Sequence, residues 1–190
     1  MSKLARREWY GRVEVVSNNG MVVSSRRQAS EAGVEIFKRG GNAIDAAVAA
    51  GFTIGVIEPY NSQIGGNAWL VSHISGGELS IIWAGAKAPL EATPDMYELQ
   101  PEGYGPYFRR VKNDANLYGP LAVGVPGLVA GLCLLHEKYG NLSLEDVIQP
   151  AIQCAKRGFK VCMYDVVAIS NKMSIISKDP EMSKVFLPEG

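Results

Sequence analysis

Apolar positions along the chain recur with two periods, and the breaks between them fall at glycine, asparagine and proline. Residues 28–38 place Ala29, Ala32, Gly33, Ile36 and Phe37 at helical spacing, and Arg39, Gly40 and Gly41 supply a stop. Asn42 stands where it can cap a second helix over 43–57, with Asp45 three residues on, where a carboxylate suits a helix N-terminus. That second helix carries Ala or Gly on every side, so neighbouring backbones can approach closely. It is expected to be a central helix pressed against a sheet or another helix, ended by Pro59.

Alternation marks the strands. Residues 13–16 and 20–24, joined by Asn18-Asn19-Gly20, predict one hairpin. A polar, glycine-rich crossing over 61–66 leads to apolar segments 68–74 and 78–83 around Ser75-Gly76-Gly77, which predict a second, antiparallel hairpin. Periodicity is lost over 86–121, where Pro89, Pro94, Pro101, Pro106 and Pro120 predict a long surface excursion with a short helix at 94–98. Helices are predicted over 125–139, from the capping pair Ser143 and Asp146 through Arg157 to a stop at Gly158, and over 165–176. The last residues, after Asp179-Pro180, hold no complete core element. Two or three strands and five helices leave a sheet edge open, so residues 1–190 read as a single partial domain completed by a downstream segment or another chain.

Composition narrows the function. Lys plus Arg and Asp plus Glu each number 19, so no net field recruits nucleic acid or an anionic membrane, while zero net charge leaves association into a higher oligomer open. The 21 glycines ask for close packing. Cys133, Cys154 and Cys162 lack the spacing of a zinc site and the density of a disulfide scaffold, and read as reduced core thiols. The charged first twenty residues hold no apolar stretch of a secretory signal, which predicts a cytoplasmic protein. The apolar run over 43–57 contains Asp45, ends at Glu58-Pro59 and falls short of the roughly 20 residues a membrane span needs.

Most chemistries lack their residues. No glycine-rich phosphate motif occurs, and Gly65-Gly66 leads into a strand-like segment, so no nucleotide or other cofactor is expected. His73 and His136 have no second ligand at metal spacing, and no serine sits in a G-x-S-x-G elbow. Asp45 and Glu58 flank the apolar helix. Asp45 suits the helix dipole, whereas Glu58 sits badly at the C-terminal end and calls for a salt-bridge partner or solvent. Both read as structural or site-supporting residues, as do Gly40, Gly41, Asn42, Gly65 and Gly66.

An ordered set of motifs runs from about residue 20 to 160: GMVVS (20–24), GGNAIDAAVAA (40–50), VIEP (56–59), IGG (64–66), AP (88–89), ATPDM (92–96), AVGVPGLVAG (122–131) and IQPAI (148–152). Together they resemble the N-terminal part of the large subunit of the gamma-glutamyltranspeptidase family. The resemblance implies an α+β chain forming part of an αββα four-layer N-terminal-nucleophile hydrolase fold, incomplete here. It also implies a precursor that cleaves itself into two subunits and acts on glutathione-like compounds. The small subunit's N-terminal threonine would be the nucleophile and its own α-amine the base, since a hydroxyl is a weak nucleophile until a base lies beside it. No catalytic residue is then expected in this chain, which would supply scaffold and pocket wall to a partner segment carrying the threonine.

One departure bears on the substrate. Family members acting on gamma-glutamyl compounds carry Asp-Gly-Arg-Glu-x-Ala-Pro after the second hairpin strand, and the arginine grips the substrate's α-carboxylate. Here the run is WAGAKAP (83–89), with Gly85 at the arginine position. Lys87 could offer a displaced point charge or be a surface lysine. Gln63 and Asn67 stand where glycine is usual, and with Asn61 and Ser62 they complete the substrate-pocket candidates. An amidase or acylase for a non-glutamyl substrate is therefore a rival to gamma-glutamyl transfer, as are an inactive scaffold homologue and a solute-binding module.

Overall fold

Helix α2 (Ala43–Ile57) is the element against which three others pack. In the computed structural model, which describes residues 15–104 and 109–188, α1 (Arg27–Lys38) precedes it. The hairpin β1 (Ala68–His73) and β2 (Leu79–Ala84) follows, then β3 (Leu99–Tyr104) and β4 (Arg109–Val111). The remainder is helical: α3 (Leu128–Tyr139), α4 (Leu144–Arg157), α5 (Met163–Ile176) and α6 (Pro180–Phe186). The mixture of helices with antiparallel pairs is an α+β arrangement.

The core lies where α1, α3 and α4 meet α2. Ile36, Ile44, Val48, Leu128, Leu132, Leu135 and Val147 are buried together, with Leu70 and Ile82 of the hairpin packed at the edge. Small residues set the spacing. A Cβ at Gly33 of α1 would lie 2.9 Å from the Ala46 carbonyl oxygen of α2, and one at Gly131 of α3 would overlap the Ala84 side chain of β2. The expectation of a tightly packed central helix holds on the side that carries Ala46. Ala47, one residue on, is exposed.

Two buried carboxylates tie the helices at their ends. Asn42 and Asp45 form the capping box of α2, and the fully buried Asp45 also accepts the backbone N–H groups of Asn141 (3.0 Å) and Leu142 (3.4 Å) in the turn between α3 and α4. The Asn42 amide donates to the Tyr139 carbonyl at 2.6 Å, and Asn141 donates to Gly40 at 3.1 Å, so two turns are sewn into one. Far along the chain, Arg26 donates to both oxygens of Asp165 at 2.7 and 3.1 Å. Tyr60 and the Cys162 backbone N–H add bonds of 3.0 and 2.6 Å. Burial alone would raise the Asp165 pKa, but the Arg26, Cys162 and Tyr60 bonds outweigh it and hold it at about 2.

Several expectations need correction. Val13 and Glu14 of the first predicted hairpin lie outside the described residues, and 15–24 contains no strand. Among the described residues no ladder partner lies beside it, so Val15, Val16 and Val23 stay largely exposed while Val22 packs against Gly33. No helix forms at 94–98. Pro94 occupies the second position of a turn closed by Met96 N–H to the Thr93 carbonyl at 3.3 Å, and β3 and β4 then pair within the predicted excursion. Helix α3 starts at Leu128 because Val125 is held in a bridge to Lys87. Helix α6 was not foreseen, although Asp179 caps it and Pro180 opens it. Cys133, Cys154 and Cys162 are free thiols, but half-buried rather than in the core.

Two outcomes follow from this packing. Asp165→Asn leaves a buried guanidinium without its counter-charge and should cost about 3–5 kcal/mol in denaturant unfolding. A folded-state pKa held below the usual carboxylate value of about 4 stabilises fully above that pH. In wild type that contribution should disappear as pH falls from about 4 to about 2, and the variant should lack that part of the acid transition. Ala46→Leu should cost about 1–3 kcal/mol by overpacking, read as a lower melting midpoint, while Ala47→Leu on the exposed side should change it little.

Candidate functional site

Three segments of the candidate site converge beside the N-terminus of α3. The crossing after α2 starts with Asn61 and Ser62 N–H groups bonded to the Glu58 carbonyl at 3.0 and 2.8 Å, and turns again through Gly66 N–H to Gln63 at 3.0 Å. Leu128 N–H then reaches the Gly66 carbonyl at 3.2 Å, tying the crossing to α3. Beyond β2, Lys87 and Val125 exchange backbone bonds of 3.0 and 2.8 Å. A Cβ at Gly127 would lie 2.8 Å from the Ala84 carbonyl oxygen, so the strand end and the start of α3 touch backbone to backbone. Ser62, Gln63, Asn67, Gly85 and Lys87 are thus carried on neighbouring, mutually hydrogen-bonded segments.

Gln63, Asn67 and Lys87 are exposed and Ser62 is half-buried. No hydrogen bond joins Ser62 to a histidine, carboxylate or lysine among the described residues, so it has no activating base there. Gly85 lies beneath an aromatic ring: a Cβ built on it would overlap the Trp83 indole. Trp83 pairs with Trp69 across the hairpin, and their rings stack with centroids 5.9 Å apart at 29°. The inner hairpin face, with Leu70, Ser72, Ile82 and Ala84, turns to the helices, while Trp69, Val71, Ile81 and Trp83 are 60–70% exposed on the outer one.

The two carboxylates and Asn61 lie elsewhere. Asp45 belongs with Gly40, Gly41 and Asn42 to the sewn turns, with His136 Nε2 3.3 Å away. Glu58 is buried, but the anticipated salt bridge is absent among the described residues. Its carboxylate instead accepts the Ser25 hydroxyl at 2.9 Å. Glu58 and Asn61 line a cavity of about 590 Å³ with Arg26, Tyr60, Lys160 and Cys162, which includes neither Gln63, Asn67, Gly85 nor Lys87. The guanidinium that lines the same cavity, Arg26, is engaged by Asp165. The candidate set therefore divides among three places.

Sequence reading missed the tryptophan pair and the Arg26–Asp165–Tyr60 cluster. Counting outward from Gly76-Gly77 would have placed Trp69 opposite Trp83, but the fold of the indole over Gly85 leaves no trace in spacing. Arg26 and Asp165 are 139 residues apart with no shared motif.

Comparison with known proteins now fixes the lineage. The chain is 39% identical over 177 residues to a glutathione hydrolase proenzyme of Pseudomonas sp. (strain A14), covering 93% of this chain and 30% of that protein. It is 38% identical over 173 residues to an acylase ACY 1 proenzyme of Pseudomonas sp. (strain V22), covering 91% and 31%. The fold superposes on the crystal structure of Helicobacter pylori gamma-glutamyltranspeptidase with a TM-score of 0.80 at 35% identity, covering 90% of this chain and 47% of that one. The chain thus spans about a third of the length of these curated relatives. With the Gamma-glutamyltranspeptidase family model also matching residues 29–190, the chain belongs to the gamma-glutamyltranspeptidase family.

Proposed function

We propose that these residues form the scaffold and one pocket wall of an amide-cleaving acyl-transfer enzyme whose substrate is not held by its α-carboxylate. The observation that carries this reading is Gly85, covered by the Trp83 indole at the position where the family resemblance puts an arginine. A bidentate guanidinium is the natural partner of a carboxylate, and neither glycine nor a tryptophan ring replaces it. Lys87 presents an exposed ammonium two residues on, held by its backbone bridge to Val125 and without an ion pair among the described residues. Relatives named as acylases as well as glutathione hydrolases agree with a family pocket that changes its acyl group.

In this reading β1 and β2 are strands of one of two stacked sheets, and the reacting groups lie on a segment outside residues 1–190. There a threonine hydroxyl, its proton taken by the residue's own α-amine, adds to the amide carbonyl. The C–N bond breaks, the leaving amine takes the proton, and an ester remains on the enzyme. Water or a second amine then cleaves the ester to an acid or a new amide and restores the hydroxyl.

Residues 1–190 alone should not hydrolyse gamma-glutamyl or other acyl p-nitroanilides, while the full-length protein should. A buried charge-assisted contact contributes roughly 1.5–3 kcal/mol, or about ten- to a hundredfold. Without it the full-length protein should favour gamma-glutamyl over 4-aminobutanoyl p-nitroanilide, which keeps the amine and lacks the carboxylate, by less than about tenfold in kcat/KM. Lys87→Ala should leave that ratio unchanged. A preference above about a hundredfold would defeat this reading of the pocket.

A further inference from the structure

We propose that the cavity beside the C-terminus of α2 binds a small zwitterion of the α-amino acid type, with its ammonium on Glu58 and its carboxylate toward Lys160. Binding there requires nothing of the amide-cleaving reaction. Glu58 is the C-cap of α2, where the helix dipole is negative and the last turn holds no basic residue to offset it. A buried carboxylate in that place needs a cation or several donors. It has one neutral donor: Oε1 accepts the Ser25 hydroxyl, while Oε2 takes no bond among the described residues although Glu58 is only 5% exposed. The buried cation of the same cavity does not make up the difference. Arg26 donates to both Asp165 oxygens and, at 3.4 and 3.5 Å, to the Ile57 and Lys160 carbonyls.

The charges that line the cavity sort into matched pairs and two that are left over. Arg26 is matched by Asp165 and Arg27 by Glu31 at 2.7 Å, whereas Glu58 and Lys160 have no ion-pair partner among the described residues. The unmatched negative charge is buried and the unmatched positive one is exposed. A primary ammonium brings three donors to the first, and a carboxylate on the same molecule meets the second. An anion alone would face Glu58, and a cation alone would leave Lys160 unanswered. Tyr60 stands beside Glu58: burial first, then the Asp165 bond and the charges of Asp165 and Glu58, push its phenol up. Its ring and that of Tyr164, 45% and 77% exposed by residue, line the cavity too, and an ammonium is attracted to such faces. The volume of about 590 Å³ is that of a small-molecule site.

The test follows binding to the full-length protein by calorimetry, with wild type, Glu58→Gln and Lys160→Ala. The probes are L-leucine, 3-methylbutylamine, which is leucine without its carboxylate, and 4-methylpentanoate, which is leucine without its ammonium. L-Leucine should bind more tightly than 3-methylbutylamine, and 4-methylpentanoate should not bind. Glu58→Gln keeps an acceptor for Ser25 and should weaken both L-leucine and 3-methylbutylamine by at least about tenfold. Lys160→Ala should weaken L-leucine by about threefold and leave 3-methylbutylamine unchanged. L-Leucine binding that is unchanged in either variant overturns the site, as does 4-methylpentanoate binding as tightly as L-leucine. Where Glu58→Gln does not fold, the exposed Lys160→Ala decides alone, a loss confined to L-leucine supporting the site and no loss overturning it. Absence of L-leucine binding to wild type also overturns it, and a lowered melting midpoint of Glu58→Gln would then assign the carboxylate to a cationic side chain from outside residues 1–190. Amide turnover is no part of the readout, so failure of the amide-cleaving reading leaves each of these outcomes standing.

Discussion

The structure depends first on one buried carboxylate. Asp45 has no exposed surface and, among the described residues, no lysine or arginine partner, and its oxygens accept backbone N–H groups from its own helix start and from the turn between α3 and α4. An ionised group taken out of water is costly unless its lone pairs are filled, so the two turns are held together by the need to satisfy it. With those turns joined, α2 has α1, α3 and α4 fixed around it. The neighbouring Arg39–Asp146 pair spans the same two turns at the surface, where such pairs contribute little.

From that anchor, steric fit carries the geometry outward to the candidate site. Leu128, Leu132 and Leu135 bury one stripe of α3, which sets its rotation. Gly131 and Gly127 then face Ala84 and admit the end of β2 at backbone distance. A larger residue at either position would push the hairpin off the helix. The end of the hairpin, the crossing and the start of α3 therefore meet without a side-chain network of their own. This explains how Gly85 is positioned although no polar contact of its side chain could do it.

Much of this order was legible in the sequence, and the reason differs by element. Asn42, Asp45 and Pro59 mark the two ends of α2 by local chemistry, and its observed bounds match the residues they delimit. Ser143, Asp146 and Gly158 do the same for α4. Alternation around Gly76-Gly77 gave the antiparallel hairpin, and Gly76, at φ +74°, occupies the left-handed region such a turn uses. Residues 20–24 carry an equally good strand pattern and form none, because alternation records what a segment does when a neighbour completes the ladder. The pairing of β3 with β4 hid among prolines. Arg26 with Asp165 was invisible for a different cause: a contact between distant residues has no period. At the candidate site, the identity of Gly85 was readable by alignment with a motif, whereas its cover depends on the direction in which Trp83 leans.

The buried charges also limit what this part of the protein can do. Arg26, Asp45, Glu58 and Asp165 are the buried ionisable residues among those described, and each is bonded within the fold. A general base needs a free lone pair and a pKa near the working pH, whereas Asp165 is held at about 2 and its oxygens already accept from Arg26, Tyr60 and the Cys162 backbone. Asp45 is equally occupied, and Glu58 opens on a cavity that excludes Gln63, Asn67, Gly85 and Lys87. What remains at the convergent segments is shape, neutral amides, two indoles and the exposed Lys87 ammonium. In the proposed reaction the reacting groups are supplied from outside these residues.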